Sequence, residues 1–344
     1  MASKNFFGLD IGNSSIKLVH LQKDNQGAKL IAYGLAQTPG NGLISEADFD
    51  KDAIVEVIKR LVKETRVNTN NVIASLPESQ IFTRVIDMPP MSDKEIASAI
   101  KYEAEQYIPR PLAEVSLRWQ ILNKGEKEKN QKMEILLVAA PLTLVDKYSE
   151  ILIRADLKPL AMETDLLAQS RSLVGNNPYS PTTMILSIGS SNTDISIVKA
   201  GQVSFTRSIL SGGNTLTRAI ASDLSLENEQ AEQYKRTYGL IDDQVEGKVM
   251  NAIKPTFEVI INEIKKAIIF YQTKNPNDQV KRLVLTGGTA KLPGLLLFFA
   301  NALGIEVQVG DPWFNIKKDP NIETQLTEDA PLYSVAVGLA LKEV

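Results

Sequence analysis

The sequence contains no cysteine and a single histidine among its 344 residues. Disulfides, thiol nucleophiles and ordinary zinc sites are therefore excluded, because each of them needs Cys or His side chains. The histidine, His20, lies in the alternating stretch 17–21, and this pattern predicts a solvent-facing position on a strand. Any chemistry must therefore rest on carboxylates, lysines, hydroxyl groups and backbone amides.

Basic clusters and long apolar runs are also missing. The formal net charge is −3, and the densest charged run, 124–132, mixes both signs, which argues against a nucleic-acid partner. The longest apolar run, 295–300, is far shorter than the ~20 residues that span a bilayer. The first five residues lead into a strand without an apolar signal segment. We therefore expect a soluble, intracellular protein that does not insert into a membrane.

An internal repeat is the most informative feature that is present. The stretch LDIGNSS at 9–15 is echoed by LSIGSSN at 186–192, and alternating apolar residues follow each copy. Each copy therefore predicts a β-hairpin with a tight turn of small residues. Two such hairpins, more than a hundred residues apart, predict a duplicated α/β fold with a cleft between two lobes.

The intervening patterns predict how the chain is divided between the lobes. We predict a first-lobe core over 1–78, which 158–175 and 330–344 rejoin. The second lobe is predicted over 176–329, with a helical subdomain at 213–279. The helical spacing of apolar residues in that subdomain is typical of helices that pack in a core.

Residues 79–157 are predicted to form an inserted α+β subdomain in the first lobe. Strand and helix patterns alternate through this block, which makes it a small packed unit. The predicted order is strand 81–87, helix 93–107, strand 115–122, strand 134–140 and helix 143–155.

Four segments fit one task, which is binding a nucleotide. The first turn offers amide donors and hydroxyl groups to phosphate, and its aspartate could also hold hydrated magnesium. Its candidate residues are Asp10, Gly12, Asn13, Ser14, Ser15 and Lys17. The second turn supplies the same groups from the opposite lobe. Its candidate residues are Gly189, Ser190, Ser191, Asn192 and Thr193.

The other two segments are suited to the nucleoside. Gly287, Gly288 and Thr289 join a strand to a helix expected to open at Pro293, so bare backbone and a helix N-terminus could face the ligand. Glu232 and Lys235 share one helical face and could bond a ribose and flank a purine. Alone, each segment reads as an ordinary turn or a surface ion pair. The order of all four segments along one chain is what indicates nucleotide binding.

That order resembles the actin and sugar-kinase superfamily over nearly the whole chain. The resemblance implies a two-lobed actin/Hsp70-like (ribonuclease H-like, duplicated) fold that binds ATP with Mg²⁺. The inserted block lies where FtsA-type proteins carry an extra first-lobe subdomain. More specifically, the chain resembles the PilM family of type IV pilus assembly proteins. The stretches that carry this resemblance are 7–12 (FGLDIG), 88–91 (MPPM), 99–109 (AIKYEAEQYIP), 205–208 (FTRS) and 212–214 (GGN), which adds Gly213 to the site.

One position departs from the superfamily pattern. The second hairpin usually begins with an aspartate that helps to hold magnesium and orient water, and this chain has Ser187 there. Serine cannot carry that charge, and metal assistance is worth several kcal/mol in phosphoryl transfer. We therefore expect ATP binding with weak or absent hydrolysis.

The PilM resemblance implies a cytoplasmic scaffold, peripheral to the inner membrane through its partners. The expected partner is the N-terminal cytoplasmic peptide of a PilN-like inner-membrane protein, docked on 79–157 along the edges of strands 81–87 or 115–122. Self-association is left open. Two rival functions remain, an FtsA-like polymerising division protein and a phosphotransferase of the superfamily. We find no candidate carboxylate in the sequence to act as the general base of a phosphotransferase.

Overall fold

The computed structural model describes residues 5–24, 27–40, 42–45, 47–125 and 131–343, which form three β-sheets and their covering helices. The described strands are β1 (Phe7–Ile11), β2 (Ser15–Asp24), β3 (Gly27–Gln37), β4 (Asn71–Leu76), β5 (Phe82–Met88), β6 (Val115–Asn123), β7 (Met133–Pro141), β8 (Lys158–Thr164), β9 (Thr183–Ile188), β10 (Thr193–Lys199), β11 (Gln202–Ile209), β12 (Arg282–Thr286), β13 (Glu306–Val309) and β14 (Ile316–Lys317). The described helices are α1 (Asp48–Thr65), α2 (Asp93–Glu105), α3 (Leu142–Arg154), α4 (Asp165–Leu173), α5 (Gly213–Leu224), α6 (Asn228–Tyr238), α7 (Lys248–Lys274), α8 (Leu295–Leu303), α9 (Glu323–Glu328) and α10 (Ser334–Ala340).

The first two sheets repeat one topology. The first sheet has the strand order β14-β3-β2-β1-β4-β8, and the second has β11-β10-β9-β12-β13. In each, an antiparallel hairpin stands beside a parallel strand, since β1 pairs with β2 and β4 as β9 pairs with β10 and β12. The predicted duplicated, two-lobed α/β fold is therefore confirmed.

Helices cover both faces of the first sheet. Phe7 and Leu9 of β1 pack with Ile58 of α1 and Tyr148 of α3, while Val19 of β2 packs with α10. A strand that is buried on both faces needs apolar residues throughout, which explains the continuous FGLDI run of β1. In the second sheet, α5, α7 and α8 cover one face, and α4 approaches the other.

The prediction that His20 faces solvent is wrong. Its side chain is only 3% exposed, and Nε2 lies 2.7 Å from Asn5 Oδ1. The alternation of β2 assigned His20 to the face opposite Val19 correctly. That face is also covered, however, so the alternation of β2 does not distinguish a solvent-exposed face from a buried one.

The third sheet has the order β5-β7-β6, and one of its faces packs on α2. Ser92 and Glu95 form a capping box at the start of α2, which fixes where this helix begins. Five residues of the predicted charged tip, 126–130, lie outside the described residues.

Two predicted limits of the domains differ from the structure. Helix α3 was assigned to the inserted block, but Tyr148 and Ile151 pack in the core of the first sheet. The chain was predicted to return to the first lobe at 330, yet β14 already pairs with β3 of the first sheet, with Ile316 opposite Ala28. The third sheet with α2 therefore forms the smaller packed unit, and the full division into domains stays a prediction.

Candidate functional site

A cleft of about 1190 Å³ opens between the two lobes. It lies at the carboxyl ends of the parallel strands β1, β4 and β8 of one sheet and β9 and β12 of the other, where open α/β sheets bind ligands. All four predicted segments meet there. The predicted residues that line the cleft are Asp10, Gly12, Asn13, Ser14, Ser15, Lys17, Gly189, Ser190, Asn192, Gly213, Glu232, Lys235, Gly287, Gly288 and Thr289.

The first hairpin places a buried ion pair at the floor of the cleft. Lys17 Nζ donates to Asp10 Oδ2 at 3.0 Å, and Ser75 Oγ donates to Asp10 Oδ1 at 3.2 Å. The two residues face each other in the β1–β2 register, so the hairpin itself brings them together. The pair keeps one carboxylate fixed at the position predicted for a metal ligand.

Gly12 belongs to the hairpin as much as to the cleft. Its amide donates to Ser15 O at 3.1 Å, which closes the turn. A Cβ atom at Gly12 would lie 3.0 Å from Ser15 O and 3.3 Å from Lys17 Nζ. A larger side chain would therefore disturb the turn and the ion pair as well as any ligand.

The second hairpin is tied to the start of α5. The amides of Gly213 and Asn214 donate to Gly189 O and Ser190 O at 2.9 and 2.8 Å. Two predicted residues, Ser191 and Thr193, are not among the described residues that line the cleft. Thr193 is fully buried and its hydroxyl donates to Ser211 O at 2.7 Å, because this residue already belongs to strand β10.

Glu232 and Lys235 are part of a buried network, unlike an ordinary surface pair. Lys235 Nζ donates to Glu232 Oε2 at 2.5 Å, to Thr217 Oγ1 at 2.8 Å and to Gly213 O at 3.0 Å. Burial lowers the pKa of Lys235, and Glu232 offsets part of that shift. Burial would raise the pKa of Glu232, but hydrogen bonds from Lys235, Thr217 and Arg236 outweigh it and lower this pKa.

The turn after β12 leaves room for a ligand at one glycine. Gly287 has φ +83°, and a Cβ atom there would lie 2.6 Å from Ile188 O. At Gly288 the nearest atom to a Cβ would be Leu332 Cδ2 at 3.7 Å, an ordinary van der Waals contact, so a side chain there would displace no protein atom. The helix expected to open at Pro293 starts only at Leu295 as α8, after a 3-10 turn, so its N-terminus is not at this turn.

Ser187 lies at the end of β9 and lines the cleft. Its Oγ accepts a hydrogen bond from Gln169 Nε2 at 2.9 Å, so a neutral pair occupies the position of the expected carboxylate. Sequence reasoning missed Gln169 and Asp165, which both line the cleft from α4. The available signal was the position of Asp165 directly after strand β8, where the strand ends of the first sheet meet.

Two further carboxyl groups stand beside the cleft. Asp194 of β10 lines it, and burial raises the pKa of Asp194 to about 6. Burial also raises the pKa of Asp165, with added repulsion from Asp194 and Glu78. The prediction that no carboxylate is available as a general base therefore needs correction, because Asp165 and Asp194 reach the cleft by folding.

The few carboxylates of the cleft suit a magnesium ion that keeps most of its water ligands better than a metal ion held entirely by protein side chains. Among the residues that the structure describes, no group of three or more His, Asp or Glu side chains converges as a metal site. Magnesium usually keeps several waters and takes one or two carboxylates together with substrate phosphates. Asp10 supplies one such carboxylate at the floor of the cleft.

Within the described part of the chain, no helix has the length and apolar character that crossing a bilayer requires.

Comparisons with known proteins show which sequences and folds this chain is similar to. The cell division protein FtsA of Streptococcus pneumoniae serotype 2 is 22% identical over 350 residues, which cover 91% of this chain and 77% of that protein. A structure of a PilM–PilN type IV pilus biogenesis complex superposes with a TM-score of 0.84 at 28% identity and covers 98% of both chains. MreB5 of Spiroplasma citri bound to AMPPNP has the same fold, with a TM-score of 0.54 at 13% identity over 98% of this chain and 95% of its own. The family model of the type IV pilus assembly protein PilM matches residues 8–344, and the chain therefore belongs to the PilM family.

Proposed function

We propose that this chain is an ATP-binding scaffold on the cytoplasmic side of the type IV pilus inner-membrane platform. In this role it docks the N-terminal cytoplasmic peptide of a PilN-like membrane protein and binds the membrane only through such partners. Family membership supports the pilus assembly role, and the PilM–PilN complex supports a PilN-like partner. The observation that carries the nucleotide half is the convergence of four polar segments on one cleft.

The cleft divides into a phosphate end and a nucleoside end. The backbone amides and hydroxyl groups of the two hairpins would hold the phosphates, with Asp10 next to Mg²⁺ and its water shell. Gly288 offers its backbone to a purine, and the pair of the half-buried Glu232 and the buried Lys235 would bond the ribose. The phosphates of a bound nucleotide would supply the negative charge that the amides and hydroxyl groups of the two hairpins bind.

Hydrolysis is proposed to be weak or absent. The Ser187–Gln169 pair is neutral, so it cannot add the charge that fixes a metal and an attacking water. Asp165 and Asp194 are buried and repel each other, which favours a protonated form of one of them, so that only the other is available as a base. Slow turnover suits a scaffold, because the nucleotide then stabilises a conformation for a long time.

The open edge of the third sheet is the proposed docking site. Strands β5 and β6 are the two edges of this sheet, and both were predicted as docking edges. The hydroxyl of Thr206 in β11 donates to Thr83 O of β5 at 3.3 Å, so the second lobe occupies the β5 side. On β6, the described residues offer no further strand. An extended peptide can therefore add to β6 through backbone hydrogen bonds.

A titration with synthetic peptide tests this docking mode. The N-terminal cytoplasmic segment of the PilN-like protein should bind with a micromolar Kd, about −8 kcal/mol. The matched control is the same peptide N-methylated at alternate residues, which keeps every side chain and removes half of the backbone donors. Loss of binding on methylation supports strand addition, whereas equal binding by both peptides would contradict it.

FtsA-like polymerisation is the second candidate, because the 22% identity to FtsA extends over 91% of this chain. Sedimentation with and without ATP separates the two functions. A polymer that pellets only with nucleotide favours polymerisation, and a monomer that still captures the peptide favours the scaffold. A phosphotransferase would also need an acceptor pocket next to the phosphates.

A further inference from the structure

The third sheet touches both lobes, although it is inserted in the first. Its entry segment, 77–83, continues from β4 and runs beside β11 of the second sheet, where Thr206 Oγ1 donates to Thr83 O. At the other end of β5, Lys274 of α7 forms an ion pair with Asp87 at 3.1 Å. Any movement of the two lobes relative to each other must therefore strain or break these contacts between the third sheet and the second lobe.

Glu78 lies at the root of this contact. It belongs to a 3-10 turn, Glu78–Gln80, and is only 5% exposed. The hydroxyl groups of Thr83 and Thr206 lie near its carboxyl group, yet Glu78 Oε2 has no hydrogen-bond partner among the described residues. A carboxyl group buried in this way is unfavourable in its ionised form unless it is paired with a cation.

The charged groups around Glu78 are acidic or already paired. Asp194 faces it from β10 and Asp165 from α4, and each has one oxygen without a partner in the described structure. The nearby cations are committed elsewhere. Arg84 lies over the Tyr107 ring at 4.6 Å, Arg207 pairs with Glu263, and Lys17 pairs with Asp10. Three buried carboxyl groups that form no ion pair with any described residue cannot all be ionised together.

We propose that Glu78 is a proton-dependent latch between the root of the third sheet and the second lobe. The neutral carboxyl group allows the entry segment to pack against β10 and β11. Ionisation places a second negative charge beside Asp194 inside the contact and releases the third sheet from the second lobe. Because Asp194 lines the cleft and Glu78 begins the segment that leads to β5, the latch connects these two regions.

The sign of the pH dependence follows from the geometry. Burial raises the pKa of Glu78 from 4.5 to about 8, and repulsion from Asp194 adds to that shift. In the released state Glu78 faces water, where its pKa returns towards the ordinary value. Between these two values the latched state holds a proton that the released state loses. The ratio of latched to released molecules therefore falls by up to tenfold per pH unit as the pH rises towards 8.

The absence of cysteine makes a direct distance measurement simple. Spin labels on Glu105→Cys in α2 and Glu258→Cys in α7, both exposed, report the separation of the third sheet from the second lobe. We expect one short distance at pH 6.5 and a second, longer population at pH 9. Glu78→Gln, which stays neutral, should keep the short distance at both values. The exposed Glu114→Gln is the matched control and should behave like the parent chain.

A second variant keeps the test decisive if Glu78→Gln is poorly folded. Asp194→Asn removes the nearest like charge, so ionised Glu78 is less unfavourable inside the contact; the midpoint of the distance change should move to higher pH and the longer population at pH 9 should shrink. A midpoint that does not move, or a Glu78→Gln variant that separates at pH 9 like the parent chain, would overturn the latch.

Discussion

Ser187 accepts a hydrogen bond from the amide of Gln169 at the floor of the cleft, where related folds are expected to carry a charge. The hydroxyl–amide pair is satisfied without a metal, so Ser187 supplies no charge that would draw magnesium towards β9. Asp10, on the opposite hairpin, forms an ion pair with Lys17. The two hairpins are therefore similar in backbone and different in charge.

Ser187→Asp should raise phosphate release at least tenfold above the parent chain. The new carboxylate would stand opposite Asp10 and could share the metal, a contribution worth several kcal/mol in phosphoryl transfer. Ser187→Asn is the matched control, because it has nearly the same size without the charge. A coupled phosphate assay with saturating Mg-ATP measures all three proteins. Rapid turnover by the parent chain would contradict the proposed lack of hydrolysis.

Gly288→Val should abolish nucleotide binding and leave the melting temperature of the free protein almost unchanged. Its side chain would enter the cleft without a clash, because the closest protein atom lies 3.7 Å from the new Cβ. Gly12→Val is the instructive comparison, because it crowds Ser15 O and Lys17 and should lose stability together with affinity. Calorimetry and thermal melts of the two variants give the test. If Gly288→Val binds ATP like the parent, the cleft does not hold the nucleoside at this turn.

Most candidate residues were predictable from the sequence because glycine turns between apolar strands have a local signature. Residues that join the site through long-range contacts were not. Asp165 and Gln169 lie on an amphipathic helix and carry no turn signal. Only the meeting of strand ends from both sheets brings them together.

At the scale of elements, periodicity predicted helices and strands well but did not predict their neighbours. The apolar stripe of α3 was recognised, yet a stripe shows which face is buried and not which core receives it. Strand β5 was likewise a plausible docking edge until β11 was found beside it. The return of β14 to the first sheet depends on a two-residue pairing that is too short to be read from a pattern.

Replacing residues 82–140 with a short Gly-Ser linker should abolish peptide capture and preserve ATP affinity within about twofold. The linker is short because Phe82 pairs with Ala139, so the cut ends are neighbours. Helix α3 must stay, since Tyr148 and Ile151 belong to the core of the first sheet. Pull-down with the PilN-like peptide and calorimetry with ATP measure the two properties separately. Capture by the deleted protein would show that the docking site lies elsewhere.

At the scale of the whole molecule, the lobes are joined by buried polar contacts as well as by chain crossings. Glu78 should make the free energy of unfolding fall as pH rises from about 5 to 8, because the folded state keeps a proton that the unfolded state has lost. The slope from this residue is at most about 1.4 kcal/mol per pH unit. Chemical unfolding of the parent chain and Glu78→Gln across this range checks it. Equal slopes in the two proteins would contradict the raised pKa of Glu78.

Calorimetric titration of the intact chain with Mg-ATP tests the central claim most directly. We expect one nucleotide per chain, with a melting temperature that rises with ATP because the ligand binds only the folded state. At a hundredfold excess over Kd this stabilisation is about 2.7 kcal/mol. Gly288→Val should show neither the heat of binding nor the shift in melting temperature. Absence of binding to the parent chain, or equal binding by both proteins, would contradict the account.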